Sequence, residues 1–160
     1  MLSSGAVWSI ERRVGRLVEI RIWSPVSIEE TGPWQVAHDD VIRAVGGPYV
    51  CFVDLADATV FPQDVVDAYV ATMRNEPHLL RTATLLNASP TFGMQIQRMI
   101  REANNPDRRV FREAAELSAW LGAILDDAER RRLEELLFER HVTIPPKRGC
   151  KPATFLGWHR

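Results

Sequence analysis

The stretch Tyr49-Val50-Cys51-Phe52-Val53-Asp54 decides how the rest of the chain is read. Five apolar residues follow one another without the polar alternation of a half-exposed strand, and Gly46-Gly47-Pro48 and Asp54 bound the run on either side. A run this short, rich in β-branched and aromatic side chains, reads as a strand covered on both faces. Such strands are central and parallel, and parallel neighbours require long crossover connections, usually helices.

The flanking sequence supplies those helices. Trp34, Ala37, Val41, Ile42 and Val45 recur at three- or four-residue spacing before the glycine stop. Ser27-Ile28-Glu29-Glu30 has the spacing of a capping box, but Thr31-Gly32-Pro33 interrupts it, so the expectation is a short turn and then a helix opened by Pro33 at its first position. Downstream, Pro62 opens a second helix with an apolar stripe of Val65, Val66, Tyr69, Val70 and Met73. Arg81 to Leu86 forms the next strand, closed by Asn87, and Ser89 caps a third helix in which Phe92, Ile96, Met99, Ile100 and Ala103 share one face. Asn104-Asn105-Pro106 stops that helix, Arg109-Val110-Phe111 makes a brief strand, and a fourth helix carries Leu117, Trp120, Leu121 and Ile124. At the start of the chain, apolar and charged residues alternate around Val14-Gly15-Arg16, the pattern of a hairpin with one buried face. The order β, β, α, β, α, β, α, β, α predicts an α/β fold, a mixed sheet packed with four helices.

Past Leu125, Asp126-Asp127 favour a helix start, and the following residues are mostly charged around a narrow seam of Leu133, Leu136 and Leu137, suited to core or dimer packing. Arg130-Arg131-Arg132 followed by Glu134-Glu135 reads as a solvated face of mixed sign. The organisation expected is a domain over 1–125, an accessory charged helix over 126–140 and a basic-aromatic tail over 141–160.

Composition bounds the function. The 160 residues, 46% hydrophobic and 26% charged, describe one globular domain large enough to bury a core without staples. Cys51 and Cys150 stand far apart, which fits reduced thiols and a cytoplasmic protein. No stretch approaches a membrane span and no signal peptide is evident. A formal net charge of −1 removes the electrostatic case for nucleic acid. Residues 141–160, however, carry Lys147, Arg148, Lys151 and Arg160 and no acid, which leaves −5 on the remainder. Lys147, Arg148, Lys151, Phe155 and Trp158 would suit contacts to an acidic partner, or to the acidic body of the same or a sister chain, so a homodimer through the C-terminal helix or tail is one arrangement.

Chemistry is sparse. Cys51 lies within the presumed central strand, where a thiol is inert, and Cys150 has no histidine or carboxylate beside it. His38-Asp39-Asp40 point in different directions on a helix, about 100° apart, and read as a solvated face and not as a metal cluster. No glycine-rich phosphate loop is present. No catalytic residue, metal or cofactor is therefore expected. The most informative polar loop is Asn87-Ala88-Ser89-Pro90-Thr91, at the carboxyl end of a parallel strand and on the same edge as residues 56–63, where open α/β sheets place ligands.

Two local patterns, Val53-Asp54-Leu55 through Phe61 and Phe111-Arg112-Glu113 through Ala119-Trp120-Leu121, together with the element order, resemble the STAS-like fold of bacterial anti-sigma-factor antagonists over residues 7–125. The resemblance implies a non-catalytic regulatory domain that docks a protein partner. Phosphorylated members of that family carry Asp-Ser-Ser-Gly after the Asp-Leu strand; the matching positions here are Pro62, Gln63, Asp64 and Val65. Neither acceptor position holds serine or threonine, so the phosphoswitch is absent from the expectation. Asp64 stands in place of the acceptor serine, as a permanent negative charge or as an ordinary first-turn acid. The partner-binding residues so implied are Asp54, Asp57, Thr59, Gln63, Asp64, Asn87, Ser89 and Thr91. An alternative is a small ligand or lipid headgroup bound at the same carboxyl edge.

Overall fold

The run from Tyr49 to Asp54 is the middle strand of a five-stranded sheet in the computed structural model, which describes residues 7–23 and 26–143. Strands β1 (Trp8–Val14) and β2 (Leu17–Ile22) form the antiparallel hairpin, and β3 (Tyr49–Asp54), β4 (Leu79–Leu85) and β5 (Arg108–Phe111) add in parallel, giving the order β1-β2-β3-β4-β5. Helices α1 (Ile28–Val45), α2 (Gln63–Met73) and α3 (Pro90–Ala103) are the crossovers, followed by α4 (Ala114–Gly122) and α5 (Asp127–Thr143). The fold is α/β, as the sequence order predicts.

Alternation along the strands divides the core in two. Val18, Ile20, Ile22 and Cys51 pack with Trp34, Tyr69, Phe92 and Ile96 of α1, α2 and α3. Leu17, Val50, Phe52, Ala83 and Leu85 face the other way and pack with Leu117 and Leu121 of α4 and Leu133 and Leu137 of α5. The leucine seam of α5 is thus core packing against the second face of the sheet.

Two local expectations are corrected. First, α1 begins at Ile28, not at Pro33. The capping box closes: the Glu30 carboxylate accepts the Ser27 backbone N–H at 2.7 Å and its hydroxyl at 3.1 Å. Pro33 then sits early in the helix, where the only bond it removes is to the carbonyl of Glu29 in the exposed first turn, and α1 tolerates it. Second, α5 does not turn all its charges to solvent. Glu129 is 1% exposed and Arg132 8% exposed. Docking the leucine seam on the sheet carries these neighbours inward, and each meets a partner across the chain. The Arg132 guanidinium donates in a fork to Glu19 on β2, at 2.8 and 2.9 Å. Glu129 accepts the Arg16 backbone N–H at 2.6 Å, its Nε at 3.1 Å and its Nη2 at 2.8 Å. Gly15, at φ +55° in the hairpin turn, lies so close that a Cβ there would run into the Glu129 carboxylate. Arg131, Glu134 and Glu135 are exposed, as the sequence suggests.

No helix among the described residues is long and apolar enough to cross a membrane. Residues 144–160, with Lys147, Arg148, Cys150, Lys151, Phe155 and Trp158, lie outside the described residues.

Candidate functional site

Strands β3 and β4 end level, with Asp54 paired to Leu85, and both following loops lie on one edge. Side-chain amides join them. Asn87 Nδ2 donates to the Ala58 carbonyl at 2.9 Å while its Oδ1 accepts the Ser89 N–H at 3.0 Å. The Ser89 hydroxyl accepts the Phe92 N–H at 3.2 Å and caps α3. Gln95 on α3 forms a reciprocal pair with Phe61, Nε2 to carbonyl and N–H to Oε1, both at 2.9 Å. The loop before α2 is therefore fixed to the start of α3 at two points.

The residues singled out in the sequence separate on this edge. Asp54 is buried: its Oδ1 accepts the Ala56 N–H at 3.0 Å, and Arg21 Nε stands 3.9 Å from its other oxygen. Arg21 Nη2 also holds Asp57 at 3.1 Å, so Arg21 ties both acids to β2. Asn87 and Ser89 act within the loops. Thr59, Gln63, Asp64 and Thr91 are exposed. Gln63 Nε2 donates to Asp67 at 2.9 Å, and the Asp64 carboxylate accepts the Val65 N–H at 2.8 Å, which keeps that acid on the first turn of α2.

Gln63 and Thr91 share the lining of a groove of about 730 Å³ between α2 and α3. Thr59 and Asp64 lie outside that lining. The groove also presents Val60, 48% exposed, and Met94, 72% exposed. Arg98, Arg101 and Arg112 stand around these apolar side chains with Glu102 as the counter-charge, so the groove is apolar and net basic. Arg112 lies against Gly93, where a Cβ would meet its guanidinium. Val60, Met94 and Arg112 were missed by sequence reasoning. One signal was available: Met94 falls out of phase with the Phe92, Ile96, Met99, Ile100 stripe, and a large apolar side chain off the buried stripe of a helix is exposed.

A second cluster, unforeseen in the sequence, lies under the helices at the opposite, amino end of the parallel strands. Glu76, after α2, accepts the Tyr49 hydroxyl at 2.7 Å, faces His38 Nε2 at 3.2 Å and pairs with Arg108 Nη2. Arg108 also donates to the Met73 carbonyl at 3.2 Å. His38 is 4% exposed, which corrects its reading as part of a solvated face; Asp39 and Asp40 beside it are exposed. The helix turns only the histidine inward, stacked on Trp34 with ring centroids 5.0 Å apart. Its Nδ1 meets Asp39 at 3.2 Å, so both ring nitrogens face carboxylates and the ring satisfies both as imidazolium. Burial alone would lower the histidine pKa, but hydrogen bonds to Glu76 and Asp39 raise it above its ordinary value. Burial likewise pushes Glu76 up, and contacts with His38, Arg108 and Tyr49 carry it below the ordinary range. Tyr49 and Cys51 are both pushed up by burial, with the Glu76 charge adding to the effect, so neither ionises near neutrality. This arrangement stores charge and a proton; it holds no activated thiolate. Among the described residues no group of three or more histidine, cysteine, aspartate or glutamate side chains is placed to hold a metal ion.

No family model matches the chain, and no curated protein or solved structure matches it either.

Proposed function

We propose that this chain is a non-catalytic regulatory domain of the STAS-like kind that docks a protein partner at the carboxyl edge of its sheet. The observation that carries the reading is the groove between α2 and α3: exposed Met94 on α3 and exposed Val60 on the loop before α2, which Asn87 and Gln95 pin, with Arg98, Arg101 and Arg112 around them. A large apolar side chain at a fixed, central position within a charged rim is the usual make-up of an interaction anchor. The partner surface suited to it is apolar with acidic groups around it. The order β1 to β5, a hairpin followed by parallel strands with a helix before each, supports the STAS-like reading. Because Asp64 holds no acceptor hydroxyl, docking here would be constitutive and not switched by phosphate at that position.

Affinity capture from the native host tests this. The baits are the full chain, its Met94→Asp and Arg112→Glu variants, and a chain ending at residue 143. The expected result is that both substitutions lose the partner while circular dichroism shows an intact fold, and that the shortened chain retains it. Loss only on shortening would transfer recognition to the basic tail, and retention by both variants would exclude the groove. Asp64→Ser and Asp64→Asn in the same assay read the permanent-charge role; equal capture by all three forms removes it.

A further inference from the structure

Charge is divided along the chain. Residues 1–73, which build β1, β2, α1, β3 and α2, carry ten acids against five arginines. Residues 74–112, which build β4, α3 and β5, carry seven arginines against Glu76, Glu102 and Asp107. All 21 acids of the chain lie within the described residues, and none is paired with Arg101 or Arg112, which border the groove beside the Arg98–Glu102 ion pair. An unpaired surface arginine is ordinary by itself. Two of them beside the exposed side chains of Met94 and Val60 make an apolar surface with a positive rim that no acid of the same chain neutralises.

Helix α1 carries the complementary surface. Glu29, Gly32, Val36, Asp39, Asp40 and Arg43 are all exposed, at the three- and four-residue spacing of one helix face. Val36, 62% exposed, is the apolar centre of that face. Its three acids against Arg43 leave −2, and Arg98, Arg101 and Arg112 against Glu102 leave +2 on the groove. Trp34 and His38 fix the opposite face of α1 in the core of its own molecule, beside β1 and α2, so the outer stripe is held away from its own groove.

Spacing matches as well as charge. Glu29 precedes Val36 by seven residues and Arg101 follows Met94 by seven, so two helices laid antiparallel with Val36 on Met94 bring Glu29 level with Arg101. In that register Asp39 and Asp40 lie over the first turn of α3, where Arg112 is seated against Gly93. A parallel register would set Arg43 on Arg101, like charge on like. The groove lining runs from Thr91 to Glu102, about 16 Å of α3, the same rise as from Glu29 to Asp40 on α1.

We propose that the groove between α2 and α3 receives α1 of a second copy of this chain, antiparallel to α3, with Val36 on Met94, Glu29 at Arg101, and Asp39 and Asp40 at Arg112. The proposal rests on the reading of this groove as a protein-docking surface and names its occupant. The two faces are different patches of one molecule, so the contact is head to tail and continues beyond two copies unless a ring closes.

Sedimentation velocity of the full chain tests this between about 1 and 200 µM, the range of a small, reversible interface. The average mass is expected to rise beyond one chain with concentration, and the association to weaken about tenfold between low and high salt. Val36→Asp and Met94→Asp are each expected to stay monomeric with an intact fold by circular dichroism. Mixed together, they are expected to form a one-to-one dimer and nothing larger, because one keeps the groove and the other keeps α1. Glu29→Arg and Arg101→Glu are each expected to weaken association about fivefold, and the two combined in one chain to restore it. A wild type of single-chain mass at the highest concentration overturns the proposal. So does a mixture that fails to dimerise, or either aspartate variant associating as the wild type does. If the wild type is monomeric while Met94→Asp still loses its partner in capture from the host, this occupant alone falls and the docking reading stands.

Discussion

Glu76 and Glu129 are the same residue type with side chains 6% and 1% exposed, yet the protein uses them in opposite ways. Glu129 meets Arg16 and the backbone N–H groups of Arg16 and Asp126, and its own N–H returns to Asp126 at 2.8 Å, which caps α5 reciprocally. Backbone donors do not titrate and Arg16 is always charged, so this carboxylate has one state; its pKa is pushed down to about 2, those bonds overcoming the opposing effect of burial. Glu76 meets a histidine, a tyrosine and an arginine beside a cavity. Of these neighbours the histidine can exchange a proton with solution. Burial by itself therefore says little about a carboxylate; whether its partners are fixed or titratable separates a joint from a site.

The largest test of this contrast is removal of the joint. Glu129→Ala strands Arg16 and uncaps α5, and is expected to cost about 3–5 kcal/mol in urea unfolding. Gly15→Ala attacks the same joint from the other side: the left-handed φ alone costs about 1–2 kcal/mol, and the collision with the Glu129 carboxylate adds to it. A loss under 1 kcal/mol for both variants would show that α5 is held by its leucines alone. Glu76→Gln should cost less, about 2–3 kcal/mol, because Arg108 keeps the Met73 carbonyl and His38 keeps Asp39. In the same variant the His38 titration midpoint, read by NMR of the ring protons, should fall; an unchanged midpoint would show that Glu76 does not hold the histidine proton.

Glu129 and His38 act on stability over different pH ranges. Between the ordinary glutamate value of 4.5 and about 2, an unfolded Glu129 takes up a proton that the folded one refuses, so stability falls as pH drops through that window. Glu129→Gln should flatten the urea midpoint there. His38 acts in the other direction: its folded pKa is raised above 6.5, so its contribution is complete below that value and is lost as pH rises through the folded midpoint. His38→Gln should remove that alkaline decline; it also takes a positive neighbour from Glu76, so the Glu76 part of the acid limb should weaken while the Glu129 part stays. The smallest effect is expected at the groove, where Met94→Asp should alter stability by no more than about 0.5 kcal/mol, since the side chain touches mostly solvent.

The division between what the sequence disclosed and what it concealed follows the same line. The central strand, the hairpin and the helices that alternate with the parallel strands were legible because burial repeats with period two or near 3.6, and residues 49–54 show the two-sided case without ambiguity. The stop at Gly46 was legible too, since φ +76° there needs glycine. Pro33 misled because a local break was weighed above a capping box that opens the helix five residues earlier. The polar cluster was illegible for another reason. His38, Tyr49, Glu76 and Arg108 come from a helix, two strand starts and a loop spread over seventy positions, and a lone charged residue in a loop or at a strand tip carries no period. Arg132 and Glu129 were concealed among other charges, with partners 113 positions away.

That separation of 113 positions bears on how the molecule is made. Strands are laid down in spatial order, so each new crossover unit extends the sheet at one edge as the chain leaves the ribosome, and α1, α2 and α3 can cover their face as they appear. Leu17, Val50 and Phe52 cannot be fully covered on the other face until α4 and then residues 127–137 emerge. During synthesis the nascent chain thus carries a finished side and a bare apolar side at once. Completion is a single late event, the return of α5 to the first turn of the chain, and any arrest of translation before it leaves a sticky half-built sheet.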